Sequence, residues 1–189
     1  MSEPLVSIML PSRGKPGMLM RCVESIYSSA SQPLLSNMWD LIVWLDDDDT
    51  ESLNLKPRLM LMGVRVFVGP KLGYDLLDRG YYTLCAYHSH APWVWILNDD
   101  MVLSGDWLTK LLEANRENTF CQPEIHGLGT SNYHKDNRTG CPIFLNGCWT
   151  KFGWHTVPAK ADYILTDRLE KEGWQCHFLE GVKVWHDHV

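Results

Sequence analysis

Three groups of residues carry side chains suited to chemistry. Asp46-Asp47-Asp48-Asp49 follows the apolar run Leu41–Leu45, and Asn98-Asp99-Asp100 follows the apolar run Trp93–Leu97. Near the C-terminus stands Val184-Trp185-His186-Asp187-His188. Neighbouring carboxylates suit a hard divalent cation, Mn2+ or Mg2+, which takes oxygen ligands and is commonly completed by substrate phosphates. An ion bridging a diphosphate stabilises the negative charge that grows on it as it leaves. In an extended segment His186 and His188 share one face, and neutral imidazole is a common metal ligand. Each group also has a plainer reading. Aspartates favour turns and helix caps, and terminal histidines are often merely exposed. Four consecutive carboxylates repel one another, and the next Lys or Arg along the chain is Lys56. The expectation is that a bound cation or a ligand's hydrogen-bond donors offset that repulsion.

The elements that must position these groups follow an alternation of short apolar runs and helical patterns, the signature of a βαβ architecture. Strands are expected at Leu5–Leu10, Leu41–Leu45, Val64–Val68 and Trp93–Leu97. Helices are expected at Gly17–Ser29, Tyr74–Ser89 and Trp107–Asn115, the last capped by Asp106. A further helix, Lys160–Glu172, stops at Gly173, and short strands fall at Gln175–Leu179 and Val182–His186. Residues from Phe120 to Cys148 read as irregular structure with a strand-like piece at Pro142–Leu145. In an open parallel sheet the strands' carboxyl ends line one edge, so both acidic clusters converge on one crevice.

With 189 residues, 45% hydrophobic and 21% charged, the chain fits one globular domain with a real core. No run approaches the roughly 20 apolar residues of a membrane span, and the N-terminus reads as a first strand, not a signal peptide. The scattered cysteines form no C-x-x-C pair and read as reduced thiols in a cytoplasmic protein, with a zinc site from Cys141, Cys148 and a histidine as the alternative. A net charge of −6 argues against non-specific binding to nucleic-acid backbones.

Five segments in order resemble the family-2-type glycosyltransferases of GT-A fold. VSIMLPSRGKPGMLMRCVESI resembles the family's first strand, turn and helix, and LIVWLDDDDTES its nucleotide-holding strand end. WVWILNDDMVLSGDWLTKLL resembles the strand with the Asp-x-Asp metal motif and the next helix. ADYILTDRLEKEGW resembles the segment carrying the catalytic base, and VKVWHDH the terminal strand with a metal-binding His. The resemblance implies an α/β GT-A (Rossmann-like) domain over residues 1–189, with a mostly parallel central sheet flanked by helices. Residues 1–100 would bind the nucleotide sugar and 101–189 would complete the metal and acceptor side. It implies a UDP- or GDP-sugar donor, Mn2+ or Mg2+, and transfer to a hydroxyl with inversion. Pro11, Ser12 and Arg13 would border the nucleotide, Asp46 and Asp47 would contact base or ribose, and Gly73 and Arg79 would lie near it. Asp100 would be the main metal ligand, Asp99 would touch ribose or metal, and His186 would complete the coordination. Asp162 falls where inverting members keep the catalytic base; its plain alternative is a helix cap.

Three positions depart from the pattern. Asn98 stands for the first Asp of the metal motif, which would weaken metal binding or leave Asp99 to substitute. Ala161 replaces a Glu before the base, and Ile164 replaces a frequent Asp. The chain ends just after His188, so neither an acceptor domain nor a membrane helix is expected. Trp149 and Trp154 are candidates for stacking on the acceptor. Compact members of this kind resemble transferases of bacterial viruses, so hydroxymethylated DNA bases join saccharide, lipid-linked and protein acceptors as candidates, with the host cytoplasm as the expected location. Lys135, Arg138 and Lys151 would supply a basic groove for DNA, against a pI of 5.7. Two other functions compete: a sugar nucleotidyltransferase, and a nucleotide-sugar-binding protein without turnover.

Overall fold

The computed structural model describes residues 3–30, 37–73, 76–114, 116–127, 143–145 and 161–186. Its centre is β1 (Val6–Ser12), every residue of which is buried. A strand covered on both faces needs apolar side chains at consecutive positions, which is why VSIML carries no alternation. β2 (Trp39–Asp46) and β4 (Trp93–Ile96) flank it in parallel, and β3 (Arg65–Gly69) extends the sheet beyond β2, also in parallel. The other elements are α1 (Pro16–Ser29), α2 (Thr50–Leu53), α3 (Lys56–Leu61), α4 (Thr83–His88), β5 (Met101–Ser104), α5 (Trp107–Ala114), β6 (Thr119–Gly127), β7 (Ile143–Leu145), α6 (Ala161–Lys171) and β8 (Gln175–His186). The eight strands form one sheet in the order β3-β2-β1-β4-β7-β6-β8-β5. This is the α/β architecture expected from the sequence, with helices on both faces.

Alternate residues of β1 feed two cores. Val6, Ile8 and Leu10 pack with Leu19, Val23 and Ile26 of α1 and with Trp107 and Leu111 of α5. Met9 faces the other way, toward Tyr82, Cys85, Leu165 and Leu169. Each fully buried aliphatic chain of this kind contributes about 1.5–3 kcal/mol. Trp107 anchors its layer with an indole N–H donated to the Ile26 carbonyl at 3.2 Å. Asp106 accepts the Thr109 N–H at 3.3 Å and caps α5 as expected, and Gly173 ends α6 at φ +86°. No helix among the described residues is long and apolar enough to cross a membrane.

Several elements differ from the sequence expectation. The helix expected over 74–89 begins as a π-helical segment, Leu77–Tyr82, and only then becomes α4. The region expected to be irregular contains β6, which pairs in parallel with β8. Gln122-Pro123-Glu124 hides this strand by interrupting its apolar pattern. The two C-terminal strands are one, β8, broken only by a bulge. Its register jumps from Pro123↔Leu179 to Glu124↔Lys183. Gly181 occupies the bulge at φ +81° and donates its N–H to Glu124 Oε1 at 2.9 Å. Cys22, Cys85, Cys121 and Cys176 are free thiols. Cys141 and Cys148, the cysteines of the alternative zinc reading, lie outside the described residues.

Candidate functional site

The carboxyl ends of β1, β2 and β4 meet at one edge of the sheet. The register Ser12↔Leu45 sets Arg13 level with Asp46. The Arg13 guanidinium donates to Asp46 Oδ2 at 2.7 Å, and grips both oxygens of Asp48, with Nη2–Oδ2 at 3.0 Å. The Tyr81 hydroxyl donates to Asp46 Oδ1 at 2.8 Å and accepts the N–H groups of Leu72 (2.8 Å) and Gly73 (3.3 Å). Asp46 is only 1% exposed, and a carboxylate so placed needs such partners. Asp49 accepts the N–H groups of Gly14 (2.7 Å) and Ser52 (3.3 Å) and caps α2. Burial pushes its carboxyl up, but the Ser52 and Gly14 hydrogen bonds outweigh that and hold it below the ordinary value. Asp47 is exposed, its backbone N–H bonded to the Gly69 carbonyl. The expectation that a cation or ligand must relieve the four aspartates is therefore corrected. Arg13, some 33 residues away in sequence, offsets Asp46 and Asp48, and a helix cap uses Asp49.

The second acidic group follows β4. The Tyr82 hydroxyl lies 2.7 Å from Asn98 Oδ1 and 2.9 Å from the Leu97 carbonyl, so the Asn98 amide oxygen is held within the protein. Ser12 donates its hydroxyl to Asp99 Oδ2 at 2.6 Å. Burial pushes the Asp99 carboxyl up, assisted by the neighbouring Asp100. Asp100 lies between Lys15 and His186, with Lys15 Nζ 3.4 Å from Oδ2 and His186 Nε2 3.0 Å from Oδ1. Burial raises the Asp100 carboxyl, and His186 and Lys15 together more than reverse it. The antiparallel pairing of β5 with β8 brings His186 there, because Met101, next to Asp100, faces it across the ladder.

Members of both groups line a cleft of about 420 Å³. Of the residues expected at the nucleotide, Pro11, Ser12, Arg13, Gly73 and Asp99 line it, as do the expected metal ligands Asp100 and His186. Gly73 sits there at φ +83°, a conformation that favours glycine. Asp46 and Asp47 are not on its wall; Asp46 acts on it through Arg13 and Tyr81. Lys15, Lys71 and Tyr81 also line it and were not anticipated. The two lysines had a readable signal, since SRGKP and GPKLG both follow strands. Nothing in the sequence couples Tyr81 to Asp46. Arg79 lies in the π-helical segment and Asp162 in the first turn of α6; their side chains fall outside the described residues. Trp149, Trp154, Lys135, Arg138, Lys151 and His188 lie outside the described residues altogether.

The residues fit a divalent cation. Asp100 Oδ1 is buried without a well-aligned hydrogen bond, and an imidazole nitrogen faces it across 3.0 Å. Among the described residues no three His, Cys, Asp or Glu side chains group as a complete metal site. An ion here would take Asp100 and His186 from the protein and its remaining ligands from phosphate and water.

No family model and no curated protein matches the sequence. The fold, however, is similar to solved structures. Against S. aureus TarS 1–349 the TM-score is 0.74 at 8% identity, over 96% of this chain and 60% of that one. The same protein in complex with UDP gives 0.75 at 8% identity, over 97% and 60%. The mannosyltransferase PcManGT from Pyrobaculum calidifontis, in complex with GDP-Man and Mn2+, gives 0.73 at 11% identity, over 98% of this chain and 57% of that one. The chain thus spans less than two thirds of the length of these chains. At such identities the likeness establishes the fold, which is the GT-A α/β fold.

Proposed function

We propose that this chain is a glycosyltransferase that moves a sugar from a UDP- or GDP-sugar to a hydroxyl acceptor with the help of Mn2+ or Mg2+. The observation that carries the reading is the convergence of Ser12, Asp99, Asp100 and His186 in one cleft at the carboxyl edge of the parallel sheet. Proteins of similar fold have been solved with UDP, UDP-GlcNAc and GDP-Man.

Pro11, Ser12, Arg13, Gly73 and Asp99 border the nucleotide in this reading, with Asp47 at the open end of β2 and Arg79 on the π-helical segment beside it. Asp46 holds Arg13 and, through Tyr81, the Gly73 turn. Asp100 and His186 would hold the metal, whose charge, when it is bound, steadies the departing diphosphate. Asp162 is the general base that takes the acceptor's hydroxyl proton as oxygen attacks the anomeric carbon. Its place in the first turn of α6 favours the ionised form that a base needs. Attack opposite the leaving group inverts the anomeric centre. The acceptor is a saccharide or a hydroxymethylated DNA base, met by the half of the chain that carries Trp149 and Trp154.

Two substitutions separate the roles. Asp100→Ala removes the Mn2+-dependent part of nucleotide-diphosphate binding. Asp162→Ala leaves donor binding intact and stops transfer. Transfer that survives Asp162→Ala sinks the assignment of the base, and Mn2+-dependent binding that survives Asp100→Ala sinks the assignment of the metal ligand.

A further inference from the structure

Two lysines enter the cleft from different strand ends. Lys15 stands between β1 and α1, and Lys71 between β3 and the π-helical segment; both line the 420 Å³ cleft. They differ from Arg13, the third cation there, whose guanidinium is already engaged by Asp46 and Asp48. Lys15 Nζ lies 3.4 Å from Asp100 Oδ2, longer than a good charge-assisted hydrogen bond, on a side chain 43% exposed. Lys71 is exposed and lies within electrostatic reach of Asp48, whose carboxylate Arg13 already grips. An ammonium on a flexible stem is a point charge well suited to phosphate oxygens.

The charge balance of the cleft asks for such groups. Asp99 and Asp100 line it, and a nucleotide diphosphate adds at least about two negative charges to theirs, a total of about four against the two positive charges of one divalent ion. Asn98 adds no charge, and its amide oxygen is held by Tyr82. We infer that Lys15 and Lys71 form a diphosphate clamp of their own, which holds the donor's phosphates without the metal. Lys15 exchanges Asp100 for a phosphate oxygen as the donor enters, and Lys71 meets the diphosphate from the β3 side. The metal then adds to donor affinity and does not create it. This inference rests on the donor reading above.

Calorimetric titration of the whole chain with UDP, UMP, GDP and GMP, in EDTA and in Mn2+, tests it. In EDTA the preferred diphosphate should bind about tenfold more tightly than its monophosphate, the worth of a modest charge-assisted contact. Lys15→Met and Lys71→Met should each shrink that ratio toward one with monophosphate affinity unchanged, while Lys71→Arg should retain it. Melting temperatures equal to the parent's show that the variants are folded. Equal binding of diphosphate and monophosphate in EDTA, or a ratio kept by both Met variants, overturns the clamp. Diphosphate binding seen in Mn2+ but not in EDTA overturns the clamp and leaves the donor reading standing. No diphosphate binding in either condition overturns the donor reading, and the clamp with it.

Discussion

Tyr81→Phe removes one oxygen that serves three partners. The hydroxyl donates to Asp46 at 2.8 Å and accepts the N–H groups of Leu72 and Gly73 at 2.8 and 3.3 Å. Tyr81 is 7% exposed and Asp46 1%, so water replaces little of what is lost. A hydrogen bond to a charged group is worth about 1.5–3 kcal/mol, and an orphaned backbone N–H adds to the cost. The expected destabilisation is about 2–3 kcal/mol, which for a chain of this size lowers the melting temperature by roughly 4–12 °C. Urea unfolding measures it, with a lower midpoint at unchanged slope. Tyr27→Phe is the control. Its hydroxyl donates at 2.7 Å to a single neutral acceptor, the Met62 carbonyl, and its loss should cost about 1 kcal/mol. Replacing Asp46 by Asn in the Tyr81→Phe background should recover part of the loss, because no carboxylate then stays buried short of a donor. A Tyr81→Phe variant within about 0.5 kcal/mol of the parent, or no worse than Tyr27→Phe, refutes the reasoning.

Asp49 makes stability depend on acidity. Its folded pKa lies below the ordinary value of about 3.9, so its contribution is fully present above about pH 4 and is lost as pH falls through the folded value. Asp49→Asn should flatten the acid limb of a stability-against-pH curve, and an unchanged limb counts against the cap's role. Gly105→Ala should destabilise by more than about 2 kcal/mol in denaturant, since its φ is +89° and a Cβ would fall 2.1 Å from the Gly181 carbonyl oxygen. A near-neutral result would show that the β5–α5 turn and the β8 bulge are not packed as described. His186→Ala should weaken Mn2+-dependent nucleotide binding yet leave metal-free binding in place, read by titration with and without EDTA. Equal loss in both conditions would assign His186 to the nucleotide and not to the ion.

Much of the sheet was legible because its central strands are buried on both faces. β1, β2 and β4 present unbroken apolar runs that stop at polar residues, and those stops are the site. β6 was not legible. Its middle carries Gln122, which is fully buried and accepts from the Cys176 thiol at 3.7 Å, beside Pro123, so composition there mimics a loop. β5 is only four residues long and is defined by pairing with a strand some 80 positions later. That pairing carries His186 to Asp100; the period-two argument placed the histidine on a face without saying whose. The Asp46–Asp49 run showed the opposite failure. A cluster that looks short of counter-charge along the chain has its cation, Arg13, supplied by the neighbouring strand's end.

In the proposed function the cleft holds a nucleotide-sugar donor, assisted by a divalent ion at Asp100 and His186. The most direct test is a thermal-shift titration of the whole chain with UDP, GDP, UDP-sugars and GDP-sugars, each with Mn2+ and with EDTA. A ligand at about 100 times its Kd adds about 2.7 kcal/mol of apparent stability, or roughly 5–11 °C here. One nucleotide series should raise the melting temperature, further with Mn2+ than with EDTA, and Asp100→Ala should erase the difference. No shift with either series, in either condition, would contradict that function.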